Sequence, residues 1–190
     1  MPVTEIRIAG FGGQGVILAA TVIGKAACIY ENGFATMTQS FGPEARGGAS
    51  SAQLVLSDEP ILYPYVTQPQ VLVVLSQEAF TKFAPELSPD GILIVEQDMV
   101  RLSNVKPGIR VYGIPATRLA EEIGKRMVLN VIMTGFFTAV TGLLASESVK
   151  QAVLDSVPPH SKELNTRAFD AGFDYGQRTL EGAIPMLAQV

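Results

Sequence analysis

Residues 6–20 read IRIAGFGGQGVILAA: an apolar run, four glycines within six residues, then a second apolar run. A strand that stops at glycines and turns straight into a helix opens a βαβ unit. The rest of the chain is thereby committed to a sheet with helices packed against it. Gly10, Gly12 and Gly15 satisfy G-x-G-x-x-G. In that loop one glycine makes the tight turn, the next lets a ligand approach the backbone, and the third lets helix and sheet pack closely. Gly12, Gly13, Gln14 and Gly15 are expected at a helix N-terminus, where free N–H groups and the helix dipole favour an anion.

The alternation continues down the chain. Strands are predicted over 4–10, 34–40, 50–57, 71–76, 92–97 and 109–115, and helices over 15–31, 77–87 and 116–124. The run VLVVLS at 71–76 is apolar almost throughout, the pattern of a central strand covered on both faces. From residue 126 onward the pattern is helical, over 127–145, 146–156 and 161–182, with Ser146 and Ser161 as candidate N-caps. The expected fold is a single α/β domain over 1–190. It is doubly wound and mostly parallel, with helices on both faces and a helical C-terminal third.

Residues 127–145 carry no charge and are long enough to cross a bilayer. Asn130, Thr134, Thr138 and Thr141 raise the cost of lipid, and the segment sits among α/β signals, so a buried helix is expected. Gly135 and Gly142 lie two turns apart on one face, where a neighbouring backbone can approach. Asn130, at the start of this helix, is read as its cap.

A dinucleotide loop needs an Asp or Glu about 20 residues on, at the tip of the second strand, to hold the ribose hydroxyls. That tip is Gln39-Ser40; Glu31 precedes the strand and Glu44 follows it. The loop therefore leaves three readings open: a stand-alone NAD(P) or flavin enzyme, another anion seat, and a turn kept for packing.

The second unusual stretch is SFGPEARGGAS, residues 40–50. Gly42-Pro43 forces a turn, and Gly47-Gly48 permits backbone angles closed to other residues. Following the second strand, this loop is expected on the same carboxyl edge of the sheet as the glycine loop, where open α/β sheets bind ligands. Arg46 has the shape for a bidentate contact to a carboxylate or phosphate, with Glu44 to orient it. A local Glu44–Arg46 ion pair stiffening a surface turn is the alternative.

Composition removes several function classes. Hydrophobic residues are 47% and charged residues 17%, which excludes disorder and points to a surface covered by a partner. The net charge is −4 with no Lys/Arg run, so nucleic acid is not expected. Cys28 and His160 are single, which leaves no internal disulfide, cysteine-held iron–sulfur cluster or structural zinc site. Cys28 is expected as an inert core thiol of the first helix and His160 as a surface residue. Asp170 and Asp174 share a helix face and read as a solvated acidic stripe opposite Phe169 and Phe173, not as a metal pair. MPVTEIRIAG lacks a basic start followed by an apolar core, so no signal peptide is predicted and the cytoplasm is expected.

Taken together, AGFGGQGV and GPEARGG resemble the gamma subunit, or gamma domain, of the 2-oxoacid:ferredoxin oxidoreductases. NVIMTG at 130–135 and LNTRAFDAGFDYG at 164–176 fit as well, so the resemblance covers about residues 4–176. It implies a subunit of an enzyme that decarboxylates a 2-oxoacid with thiamine diphosphate, passes electrons through iron–sulfur clusters to ferredoxin, and captures the acyl group on coenzyme A. The lone cysteine, and the absence of Gly-Asp-Gly followed at a distance by Asn, imply that this chemistry sits in alpha, beta and delta-type partners. No cofactor is assigned to this chain with certainty and no catalytic residue within it. The binding residues the resemblance implies are Gly10, Gly12, Gly13, Gln14, Gly15, Glu44, Arg46, Gly47 and Gly48. They would face coenzyme A or a partner. Among substrates 2-oxoglutarate is preferred, with pyruvate, branched-chain 2-oxoacids and indolepyruvate as the others. An assembly module without ligand contact is the further alternative.

Overall fold

The computed structural model describes residues 3–42 and 48–184. The strands are β1 (Thr4–Phe11), β2 (Phe34–Phe41), β3 (Ala49–Ser57), β4 (Val71–Val74), β5 (Ile92–Glu96) and β6 (Arg110–Ile114). The helices are α1 (Val16–Lys25), α2 (Gln77–Phe83), α3 (Ala116–Ile123), α4 (Leu129–Thr141), α5 (Ser146–Leu154) and α6 (Lys162–Leu180). All six strands form one sheet in the order β2-β3-β1-β4-β5-β6.

From β1 through β4 and β5 to β6 the pairing is parallel, and β3 runs antiparallel to both β1 and β2. The sheet is thus mostly parallel, as expected, with one reversed strand. The reversal has a simple cause. Seven residues separate β2 from β3, enough for a hairpin and too few for the crossover that a parallel pair needs.

Side-chain alternation along the central strands builds two cores. Ile6, Ile8, Val71, Val73, Ile92 and Ile94 point to the face covered by α1, α3, α4 and the following helices. Leu72, Val74, Leu93, Val95 and Val111 point to the other face, packed by Ala79 and Phe80 of α2 and by Val100. The runs 71–74 and 92–96 are buried at every residue, which explains their apolar character without alternation.

α4 is the middle layer of the thicker face, buried at every residue from Leu129 to Val140. Its hydroxyls are satisfied internally: Thr134, Thr138 and Thr141 each donate Oγ1 to the carbonyl four residues back, at 2.7–2.8 Å. At 13 residues it is about 20 Å long. No helix among the described residues is long and apolar enough to cross a membrane. α6 lies directly on it: a Cβ on Gly135 would overlap the Phe169 carbonyl, and one on Gly172 the Ile132 carbonyl. Gly142 makes no such approach. It ends α4 in the left-handed region at φ 59°, with open space where a Cβ would stand.

Other local expectations shift as well. The turn Ala26–Tyr30 continues α1 as a π-helix, whose extra residue per turn shifts the helix register; Cys28 and Ile29 face outward while Ala26 and Ala27 stay buried. Cys28 is therefore exposed and not a core thiol. Ser146 is the first residue of α5, whose N-cap is Ala145. Ser161 does occupy the N-cap of α6 but caps nothing; its hydroxyl donates to the Pro158 carbonyl at 2.9 Å. His160 is exposed, as expected. Asp170 pairs with Lys150 at 2.7 Å, Asp174 is exposed, and Phe169 stacks on Phe173 at 6.1 Å between ring centres.

Candidate functional site

β1, β2, β4, β5 and β6 all end at one edge of the sheet, where the loops after them gather. Gly10 is the last inward position of β1, and a Cβ there would overlap the Gln14 carboxamide. That carboxamide is folded under the loop. Its Oε1 accepts from the Phe11 N–H at 2.6 Å, and its Nε2 donates to the Leu75 carbonyl at 3.0 Å. Gln14 therefore ties the exit of β1 to the exit of β4. Gly15 is the N-cap of α1 at φ 73°, ψ 23°, a conformation costly for any residue with a Cβ.

The loop donors divide into two pairs. The Gly12 N–H donates to the Gly48 carbonyl at 2.8 Å, and the Gln14 N–H to the Phe11 carbonyl at 3.1 Å. The sequence expectation of four anion donors is thereby corrected, because two are consumed in closing the loop. The N–H groups of Gly13 and Gly15 have no partner among the described residues. The first bond inside α1 runs from Ala19 N–H to the Gly15 carbonyl at 3.0 Å, so the N–H groups of Val16 and Ile17 are also unused.

The strand ends that flank the second loop reach the same edge. Ser40 pairs with Ser51 and Phe41 with Ser50, while Gly10 and Phe11 of β1 pair with Ser50 and Ala49. The Gly42 N–H closes the hairpin on the Ala49 carbonyl at 2.7 Å. Glu44, Arg46 and Gly47 lie outside the described residues, whereas Gly48 is fixed against Gly12. Below this rim, between the hairpin and α2, is a cleft of about 210 Å³ lined by Ser40, Ser50, Ser51, Ser76 and Lys82 among others. Ser76 also caps α2, its Oγ accepting from the Ala79 N–H at 3.2 Å. Sequence reasoning missed this hydroxyl group, although GASS directly after the second loop was the available signal.

Two further polar side chains at this edge carry information. Asn130 is not a cap: α4 begins after Val128, and the Asn130 side chain packs instead against the α-carbon of Gly15. Glu96 ends β5 fully buried, with Oε1 accepting from the Thr117 N–H at the start of α3 at 3.2 Å. Burial pushes its carboxyl above the usual carboxylate range, opposed in part by that N–H. Its Oε2 has no partner among the described residues.

The topology also bears on the dinucleotide alternative. In that fold the second strand lies beside the first and brings its acid to the ribose. Here β3 separates β2 from β1, and the β2 tip carries Gln39 and Ser40. Among the described residues no cluster of His, Cys, Asp and Glu could hold a metal ion.

The pyruvate ferredoxin/flavodoxin oxidoreductase family matches residues 5–175 of the chain. The 2-oxoglutarate synthase subunit KorC of Methanocaldococcus jannaschii is 45% identical over 172 residues, covering 90% of this chain and 92% of that protein. The subunit of the same name from Methanothermobacter thermautotrophicus is 48% identical over 174 residues, covering 88% of this chain and 92% of that protein. Among solved structures, the keto/oxoacid ferredoxin oxidoreductase gamma subunit of Geobacter sulfurreducens superposes with a TM-score of 0.83 at 36% identity. The match covers 93% of this chain and 97% of that one. The chain belongs to the pyruvate ferredoxin/flavodoxin oxidoreductase family, and within it is a gamma subunit of a 2-oxoacid:ferredoxin oxidoreductase.

Proposed function

We propose that this subunit acts in an oxidoreductase that converts 2-oxoglutarate, coenzyme A and oxidised ferredoxin to succinyl-coenzyme A, carbon dioxide and reduced ferredoxin. The names of its relatives at 45–48% identity support that substrate. Thiamine diphosphate and the iron–sulfur clusters belong to alpha, beta and delta-type partners, because one cysteine, exposed on a π-turn, cannot hold a cluster. The whole chain serves as one gamma-type domain working in the cytoplasm.

The observation that carries the role of this chain is the joining of its two glycine loops. Gly12 is bonded to Gly48, and the N–H groups of Gly13, Gly15, Val16 and Ile17 beside that bond make none with the described residues. These are the donors a phosphate of coenzyme A requires, set at the positive end of a ten-residue helix. In sequence, Arg46 falls between Gly42 and Gly48, two residues after Glu44, and its guanidinium is our candidate partner for the same phosphate. Coenzyme A when bound supplies the thiol that takes the acyl group; this chain holds and orients it. Phe11 and Phe41 stand exposed at the rim, and Met127 is exposed in the turn just before α4; these give a partner subunit an apolar footing.

Affinity capture of the chain from its own cells tests this reading. The expected catch is a brown, cluster-bearing complex that reduces ferredoxin with 2-oxoglutarate at a kcat/KM at least about tenfold above those for pyruvate and 2-oxoisovalerate. A complex preferring another 2-oxoacid overturns the substrate, and capture without cluster-bearing partners overturns the role.

A further inference from the structure

The cleft of about 210 Å³ between the β2–β3 hairpin and α2 shares Gly10 and Gly42 with the two glycine loops. Three hydroxyls from three elements line it: Ser40 near the end of β2, Ser51 opposite it on β3, and Ser76 between β4 and α2. Ser51 and Ser76 are only 7% and 2% exposed. Ser76 accepts from the Ala79 N–H, which leaves its O–H to donate, and the Ser51 hydroxyl makes no hydrogen bond with the described residues.

The charged side chains on the wall of this cleft are equally unspent. Glu78 and Lys82 stand one turn apart on α2, both line the cleft, and neither forms an ion pair with a described residue. Lys82 lies over the Phe83 ring instead, its Nζ 5.2 Å from the ring centre. Packing alone does not call for this set, since apolar side chains would fill the space without leaving hydroxyls unused. One ammonium and several O–H donors suit a phosphate, and a carboxylate beside them suits a sugar hydroxyl. Together they fit a phosphorylated ribose better than a bare anion, which Glu78 would repel.

We propose that this cleft seats the 3′-phosphorylated ribose of coenzyme A, with Lys82, Ser40 and Ser51 on the phosphate and Glu78 on the free ribose hydroxyl. The inference rests on the reading of the glycine loops as a seat for coenzyme A and adds a second seat beside them. It makes this chain the part of the enzyme that tells coenzyme A from a form lacking the 3′-phosphate.

Isothermal titration calorimetry on the assembled oxidoreductase, without 2-oxoacid, tests this by comparing coenzyme A with 3′-dephospho-coenzyme A. The expected result is that coenzyme A binds at least about tenfold more tightly. Lys82→Ala should weaken coenzyme A about tenfold and leave the dephospho form unchanged, while Lys82→Arg keeps the preference. Ser51→Ala should act in the same direction, by about threefold. Equal affinities for the two ligands in the unmodified enzyme overturn the proposal and leave the loop reading standing. So does a Lys82→Ala variant that weakens both ligands alike. Binding of neither ligand overturns the loop reading as well. Lys82 is exposed, so its replacement spares the core, and the comparison of two ligands on the unmodified enzyme depends on no variant.

Discussion

The Gly12 amide donates to the Gly48 carbonyl at 2.8 Å, so the two glycine-bearing loops of this chain share one wall of the same edge. The bond joins the exit of β1 to the start of β3, the strand reversed between β1 and β2. The pairing of β3 with β1 sets Gly48, just before β3, beside the first glycine turn.

Gln14 holds that wall from below through the Phe11 N–H and the Leu75 carbonyl. Gln14→Ala should lower stability by about 1–2 kcal/mol for the lost bonds. It should weaken coenzyme A binding by more than that loss alone implies, since the loop is freed from β4. Urea unfolding and a coenzyme A titration on the same variant check both effects.

Close packing of α4 on α6 gives a sharp contrast between two glycines that look alike in sequence. Gly135→Ala forces a methyl into the Phe169 carbonyl and should cost about 3 kcal/mol. Gly142→Ala meets no atom within 4 Å and should cost about 1 kcal/mol, from the left-handed backbone alone. Denaturant midpoints of the two variants separate the roles.

Glu96 should make stability depend on pH. Its folded pKa is raised by burial, so its favourable contribution is full below the unfolded carboxylate pKa and is lost as pH rises through the folded value. Glu96→Gln keeps an oxygen for the Thr117 N–H and removes the charge. It should raise the melting temperature by a few degrees at neutral pH, with the gain vanishing in acid. A gain that grows on acidification contradicts the sign.

Phe41, at the end of β2, and Met127, just before α4, are 64% and 87% exposed. Phe41→Asp and Met127→Asp should leave the fold of the chain intact and weaken its association with partner subunits about tenfold or more. Size-exclusion chromatography of the reconstituted complex reads the difference.

Legibility in the sequence followed locality. The strands at 71–74 and 92–96 were plain because burial on both faces writes itself as unbroken apolar residues. The shared edge of the two loops followed from chain order. Cys28 was misplaced because a π-turn leaves no mark in an apolar helix, and the register slips only in three dimensions. Asn130 was read as a cap since its true neighbour, Gly15, lies on a different helix. Glu96 was hidden inside the strand ILIVEQ, where nothing local announces that its carboxyl points inward to α3. The roles of Glu44 and Arg46 stay with the sequence and the proposed function, because they lie outside the described residues.

The most direct measurement is turnover with and without this chain. The purified subunit, given 2-oxoglutarate, coenzyme A and oxidised ferredoxin, should form no acyl-coenzyme A. Added to the remaining subunits stripped of it, the chain should restore coenzyme A-dependent ferredoxin reduction in proportion to the amount bound. Turnover by the lone chain, or full activity of the stripped complex without it, would contradict the account.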